Sequence, residues 1–285
     1  MRKATRIQLL VVVLVLVIAL SACTSGGKTM YDYPIGWEGG WLPIQWMVTK
    51  LAYFLHWISN IFGGYYWVGL ILLTLLVRTV GWPIYAKSNQ TTANMQMAQP
   101  ELTRLQEKFK GRTDEASQRK MQAEQLEIYK KYGINPLGCL LPFAQMPIFL
   151  AMYQVVRRVP LSTVGGEGLA DFSDLKYNFL WIDDLGAGDP WYVLPVLVVA
   201  LMFLYQRYSM KKPDYLQNKK YEKSATQSQT ESTMKIMMYM MPLMLGWIAL
   251  GNAGIALYWV VGNAYQFLQT YLNRKKTEKK FIDIK

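Results

Sequence analysis

The chain has 285 residues, 52% of them hydrophobic, yet it carries a formal net charge of +12. Several apolar runs of about 20 residues alternate with charged segments, the pattern of a polytopic membrane protein and not of a soluble domain. Two cysteines in unlike contexts and a single histidine, His56, exclude a disulfide framework and the common two- and three-histidine metal sites.

Residues 1–22 read as a secretory signal. Arg2, Lys3 and Arg6 precede an apolar stretch that ends in small residues. The ending Leu20-Ser21-Ala22-Cys23 looks like a bacterial lipobox, which implies removal of residues 1–22 and lipid attachment to Cys23. An uncleaved first helix with an incidental cysteine is the alternative. Residues 23–62 then form an extracytoplasmic linker and a helix. Ile44, Val48, Leu51, Leu55, Ile58 and Phe62 recur at helical spacing, while Gln45, Thr49, Lys50, His56 and Asn60 gather elsewhere. With three tryptophans over 41–62, this pattern predicts an amphipathic helix lying in the interface plane, apolar face down. His56 is most simply a polar-face residue of that helix.

The first membrane segment, 63–86, contains a span over about 65–86. Residues 87–135 are polar and charge-mixed, and predict two helices over about 89–109 and 114–132. Leu102, Leu105 and Phe109 would pack there on Met121, Leu126 and Tyr129 as a helical hairpin. Residues 136–272 hold four further spans, over about 136–156, 191–210, 234–250 and 254–272. Pro142 and Pro147 lie in the second, where neighbouring helices can satisfy the freed carbonyls. Residues 273–285 form a basic tail. The expected fold is all-α: five transmembrane helices, an interfacial amphipathic helix and a cytoplasmic helical hairpin.

Charge assigns the orientation. Nine Lys/Arg fall in 87–135, five in 211–232 and six from Arg274 onward, whereas the linker and amphipathic helix hold two. The loop between the second and third spans holds Lys176, with Arg157 and Arg158 at the end of the second span. Basic residues favour the cytoplasm, so the hairpin, the 211–232 loop and the tail are expected inside. Five spans starting outside and ending inside agree with a lipid-anchored N-terminus at the outer face of a bacterial plasma membrane.

No Asp or Glu lies within the five predicted spans, and Arg78 is the one charge well inside them. Proton-coupled transporters usually need intramembrane carboxylates, and aspartyl or metal-dependent intramembrane proteases need paired aspartates or histidines. No span offers a Ser with a His or Lys base. Catalysis is not expected, and neither is a cofactor or a metal. The chain also lacks the glycine-rich phosphate loop of nucleotide-driven machines.

Arg78 lies roughly 12 Å from the cytoplasmic end of its span by helical rise. Thr74 stands one turn earlier on the same face. Gln145, Gln206, Asn263 and Gln266 are further polar groups in the inner parts of the helices. Two readings stay open on these residues alone. Either they line a water-accessible cavity open to the cytoplasm, or Arg78 snorkels to lipid headgroups. Six methionines between Met234 and Met244 suit a surface that accepts varied apolar partners, or ordinary gap-filling between helices. The tail RKKTEKKFIDIK suits anionic lipid or RNA, or serves only as a positive-inside anchor.

Three stretches together, in this order and spacing, carry a resemblance: LLVRTVGWPIYAKSNQTTANMQMAQPEL (75–102), YKKYGINPLGCLLPFAQMPIFLAMYQ (129–154) and GIALYWVVGNAYQFLQTYL (254–272). They resemble the YidC–Oxa–Alb family of membrane protein insertases, in the five-span lipoprotein form of Gram-positive bacteria. The resemblance implies a hydrophilic groove in the inner leaflet, closed outward and open to the cytoplasm and lipid. Arg78 matches the family's essential groove arginine, and Gln145 a groove position on the second span. Thr74, Gln206, Trp259 and Asn263 are placed in the groove beside them as this reading's own inference. The implied function is insertion and chaperoning of nascent membrane proteins, whose acidic translocated segments Arg78 attracts. The ribosome is the implied partner of the hairpin and basic tail. Working alone or beside the Sec translocon stays open, and no DNA partner is expected. An anion channel or small-solute transporter is the competing class, and a purely structural assembly chaperone the third.

Overall fold

The structure, a computed structural model, describes residues 35, 42–112, 114–134, 146–162, 170–210 and 239–282. Cys23 and most of its linker, Gln145 with the first half of the second expected span, the 211–232 loop and the end of the tail lie outside the described residues. The described elements are α1 (Leu42–Ile61), α2 (Tyr66–Val80), α3 (Trp82–Lys108), α4 (Glu115–Lys131), α5 (Met146–Arg158), α6 (Val193–Met210), α7 (Tyr239–Leu250) and α8 (Ala253–Ile282). Among the described residues β pairing is confined to isolated bridges. The chain divides into two compact units, one within 1–73 and 147–188, the other within 74–146 and 189–285.

In the first unit, α1 turns Ile44, Val48, Ala52, Leu55 and Ile58 into the protein. It meets α2 at Gly69, where an added Cβ would lie 2.0 Å from Ser59 Oγ and 2.9 Å from the Leu55 carbonyl. Only a residue without a side chain lets the two helices approach this closely. Ile44, Val48, Leu55 and Ile58 of the stripe read as facing lipid are thus used for internal packing. The outward stripe is a different one, Trp46, Tyr53, Trp57 and Ile61, with Phe62 beyond it. Periodicity locates an apolar face but does not say whether protein or lipid covers it. Gly63 and Gly64, both left-handed, end α1, with Gly64 N–H donating to the Ser59 carbonyl.

Residues 170–188 pack on this pair of helices. Tyr66 N–H donates to the Lys176 carbonyl and Lys176 N–H to that of Gly64. His56 Nε2 lies 2.8 Å from Asp174 Oδ1, and Asn60 Nδ2 donates to Asp174 Oδ2 at 2.9 Å. Partial burial works to raise the Asp174 carboxyl, but bonds from Asn60 and His56 prevail and hold it below the usual range. His56 is therefore a clasp between α1 and this loop. On α5, Arg158 is completely buried. Its Nη1 donates to Gln45 Oε1 at 2.8 Å and Gln154 Oε1 at 3.0 Å. The Arg158 carbonyl accepts from Ser162 Oγ, which itself accepts from Ile35 N–H at 2.7 Å.

In the second unit, the first expected span is a bent pair. α2 stops at Val80, α3 starts at Trp82, and the axes of Tyr66–Val80 and Trp82–Met95 differ by 59°. Pro83 has no N–H and its ring would strike the carbonyl of Thr79 in a straight helix. Hydrogen bonding restarts at the Gly81 carbonyl, which accepts from Ile84 and Tyr85. α3 then runs to Lys108, where sequence alone would break span from hairpin near 87.

α3 and α4 lie side by side and antiparallel, with Glu101 bonded to Lys131 and Tyr132, and Lys108 to Glu124. Ala98, Leu102 and Ile134 form the buried centre, joined by Met95, Ile128 and Tyr129. Leu126, expected in that seam, is exposed, and Ile128 takes its place. Asp114 caps α4, its carboxylate accepting from Ser117 N–H at 2.8 Å, a bond that also lowers its pKa. Left-handed Gly133 closes the other end, with Ile134 N–H donating back to the Tyr129 carbonyl.

Asp189 accepts from Leu194 N–H at the start of α6, and Asn252 from Ile255 N–H at the start of α8. Gly246 of α7 sits against Val199 of α6, where an added Cβ would meet Cγ2 at 2.4 Å. Met240, Met241, Met244 and Trp247 point outward from α7. α8 runs ten residues past the predicted end of the fifth span, so the tail begins as helix. Arg274 within it donates to the Tyr208 and Ser209 carbonyls and stands over the Tyr208 ring. It closes the C-terminus of α6.

Among the described residues no single helix is long and apolar enough to cross a membrane, and only the bent α2–α3 pair passes that test together. Pro83 divides the first run, and α8 places Gln266, Gln269 and Thr270 among its apolar residues.

Candidate functional site

Arg78 is in the last turn of α2, and its side chain is laid against α8. Nη1 donates to Gln266 Oε1 at 3.1 Å and to Tyr85 OH at 3.1 Å. Tyr85 is seven residues on, two helical turns away across the bend, and its ring centroid is 5.4 Å from the guanidinium carbon. Below the guanidinium is Gly262, where an added Cβ would come within 3.0 Å of Nη2.

The backbone around Arg78 is tied to the same face of α8. Gln269 Nε2 donates to the Arg78 carbonyl at 3.1 Å, and Thr79 Oγ1 and Tyr265 OH are 2.7 Å apart. Farther along, Asn89 Nδ2 reaches Thr270 Oγ1 at 3.4 Å. Gly262, Gln266, Gln269 and Thr270 recur at three- and four-residue intervals, which places them on one face of α8. This face of α8 is where the arginine rests.

The ion pairs among the described residues are His56–Asp174, Lys108–Glu124, Arg119–Glu115 and Lys131–Glu101, and Arg78 is in none of them. Its acceptors are an amide and a phenol. Each bond from the charged guanidinium to a neutral acceptor contributes about 1.5–3 kcal/mol. A carboxylate reaching Arg78 would add the attraction of two full charges and would therefore hold it more strongly than the residues that hold it at rest.

The other expected site residues stand as follows. Thr74 is buried one turn before Arg78. Trp259 is buried on α8, with Nε1 lacking a hydrogen-bond partner among the described residues, and so does the buried Oε1 of Gln206. Asn263 is half-buried, and Arg78 bonds to Gln266 and Tyr85 instead. Gln145 lies outside the described residues. Tyr85 and Gly262 escaped the sequence reading. Their signals were a tyrosine at i+7 from the arginine and a glycine inside an apolar helix. Among the described residues no cluster of His, Cys, Asp and Glu could hold a metal ion.

The class follows from comparison with known proteins: residues 57–280 match the family model of the 60Kd inner membrane protein. The chain is 34% identical to membrane protein insertase YidC 2 of Bacillus anthracis, over 91% of each protein. It is 33% identical to membrane protein insertase YidC of Oceanobacillus iheyensis, over 96% of this chain and 98% of that one. With membrane protein insertase MisCA of Bacillus subtilis the identity is 30%, over 96% and 94%. This chain belongs to the YidC family of membrane protein insertases.

Proposed function

We propose that this protein inserts nascent integral membrane proteins into the bacterial plasma membrane and helps them fold, with Arg78 as a transient counter-charge for acidic translocated segments. The observation that carries the reading is the state of Arg78: half-buried, aimed at α8 and held, among the described residues, by uncharged acceptors. A carboxylate moved alone into hydrocarbon costs several kcal/mol even after relaxation. A fixed cation part-way across shortens that passage, and its pull is stronger at the low effective dielectric of the site. The apolar helix of the client would meanwhile move into lipid along the third and fifth spans, its burial driving the step. Thr74, Gln145, Gln206, Trp259 and Asn263 would supply the polar lining.

The same reading puts the N-terminus outside, lipid-anchored through Cys23, and the C-terminus in the cytoplasm. The paired helices α3 and α4 and the basic end of α8 would receive the ribosome, with the Sec translocon as a further neighbour.

The test is insertion of single-span clients into proteoliposomes. Arg78→Ala is expected to abolish insertion of clients with acidic translocated segments, whereas Arg78→Lys keeps much of it. Equal loss in both, at normal abundance, would replace the charge-based role by a geometric one.

A further inference from the structure

The arginine's resting partners are a feature of the site in their own right. Nη1 makes two bonds, to Tyr85 OH and Gln266 Oε1, and both acceptors are neutral. They come from different elements, α3 and α8, which the bond from Asn89 Nδ2 to Thr270 Oγ1 ties together, while Thr79 with Tyr265 and Gln269 with the Arg78 carbonyl tie α2 to α8. Any group that is to bind Arg78 from Nη1 must first displace one of them. We infer that Tyr85 and Gln266 are a neutral lock on Arg78, which lets a carboxylate in and keeps uncharged polar groups out.

The physical basis is competition. The lock lowers the occupancy of every incoming group by one common factor. A client Asn or Ser offers Arg78 no more than the amide and phenol it would displace, so its occupancy falls below what insertion requires. A carboxylate adds the attraction of two full charges to its hydrogen bonds and can take two guanidinium N–H groups at once, so it remains bound. The phenol keeps a use after displacement, because its O–H can donate to the carboxylate that has replaced it. Release is also eased, since Arg78 returns to waiting partners and is not left unbonded.

This inference rests on the reading of Arg78 as the client's counter-charge, and the experiment separates the two. The full-length protein in proteoliposomes is presented with ribosome-stalled single-span clients. Each carries either Asp or Asn in the translocated segment and a photo-crosslinker beside it. The double variant Tyr85→Phe with Gln266→Leu is expected to raise crosslinking of the Asn client at least threefold, because its competitors are gone. The Asp client, already captured, changes less and leaves more slowly. Lower or unchanged crosslinking of the Asn client would overturn the lock and leave Tyr85 and Gln266 as supports for Arg78.

Gln266→Glu provides a second arm that does not depend on the double variant folding. A permanent carboxylate on Nη1 is expected to cut capture of the Asp client about tenfold, and normal capture would overturn the lock. Arg78→Ala is the control. If it still captures the Asp client as the unaltered protein does, the counter-charge reading fails and the lock fails with it. If it loses the Asp client while the two lock variants behave as the unaltered protein, the lock alone fails.

Discussion

Gly262 is the seat of Arg78: the guanidinium lies where a side chain at residue 262 would begin, with 3.0 Å between the position of a Cβ and Nη2. A glycine inside a helix ordinarily costs about 0.5–1 kcal/mol relative to alanine. Here the empty position is what lets a long cation lie flat against α8. Gly262→Ala is expected to leave thermal stability equal or slightly higher, since the flexible end of Arg78 can yield, while insertion of acidic clients falls severalfold. Comparing the thermal midpoint with insertion yield in the same preparation checks the split. A fall in stability with normal insertion would show that the position serves packing alone.

Arg158 invites a different test, because it is buried among polar partners of the first unit. It is fully buried and bonded to Gln45 and Gln154. Replacing it by methionine removes the donor and leaves the half-buried Gln45 Oε1 without its Arg158 bond and the buried Gln154 Oε1 with only the long bond from Gln45 Nε2, at roughly 1–3 kcal/mol for a group left unsatisfied. The thermal midpoint of Arg158→Met in detergent should fall by several degrees, and adding Gln45→Leu and Gln154→Leu should recover part of the loss. Non-additivity of this kind is what a shared network produces.

The clasp of Asp174 on His56 and Asn60 carries a pH dependence of definite sign. Its carboxyl titrates below the usual Asp range of about 3.9. The stabilisation is therefore present in full above that usual value and is lost as pH falls through the lower folded value. Amide exchange of residues 170–188 should quicken on acidification below about pH 4, and Asp174→Asn should show fast exchange already at neutral pH. Exchange that is slow and equal in both proteins at neutral pH would show that the carboxylate does not hold this loop.

On α1, spin labels at residues 46, 53 and 57 are expected to be reached by oxygen in preference to a polar nickel complex. Labels at 48 and 52 should be shielded from both reagents. Trp46, Tyr53 and Trp57 point outward, whereas Val48 and Ala52 are fully buried. Tryptophan and tyrosine favour the headgroup level of a bilayer, which is the environment that oxygen access would report. Preferential access of the nickel complex at 46, 53 and 57 would place that stripe in water.

Much of the molecule can be read from local pattern. The helices recur close to where apolar periodicity puts them, since each is set by residues three and four apart. The connection between α3 and α4 is equally local, with left-handed Gly111 and Gly133 and the Asp114 cap written into the sequence. Arg78 itself stands out because a cation in an apolar run is expensive wherever the chain folds. The three long motifs carried the family, since their order and spacing do not depend on knowing the contacts.

What sequence could not supply are relations between distant segments. The apolar stripe of α1 is visible as periodicity, yet only the approach of Gly69 to Ser59 shows that protein covers it. His56 and Asp174 are 118 residues apart and Arg78 and Gln266 are 188 apart. Nothing in either neighbourhood names the other. The sequence by itself determined an all-helical chain of the YidC family with one arginine set inside an apolar run. Tertiary structure decided that this arginine faces α8, rests on Gly262 and is held by Tyr85 and Gln266. The reason is physical: helix formation is governed by near neighbours, whereas the partners of a buried charge are chosen by how whole helices pack.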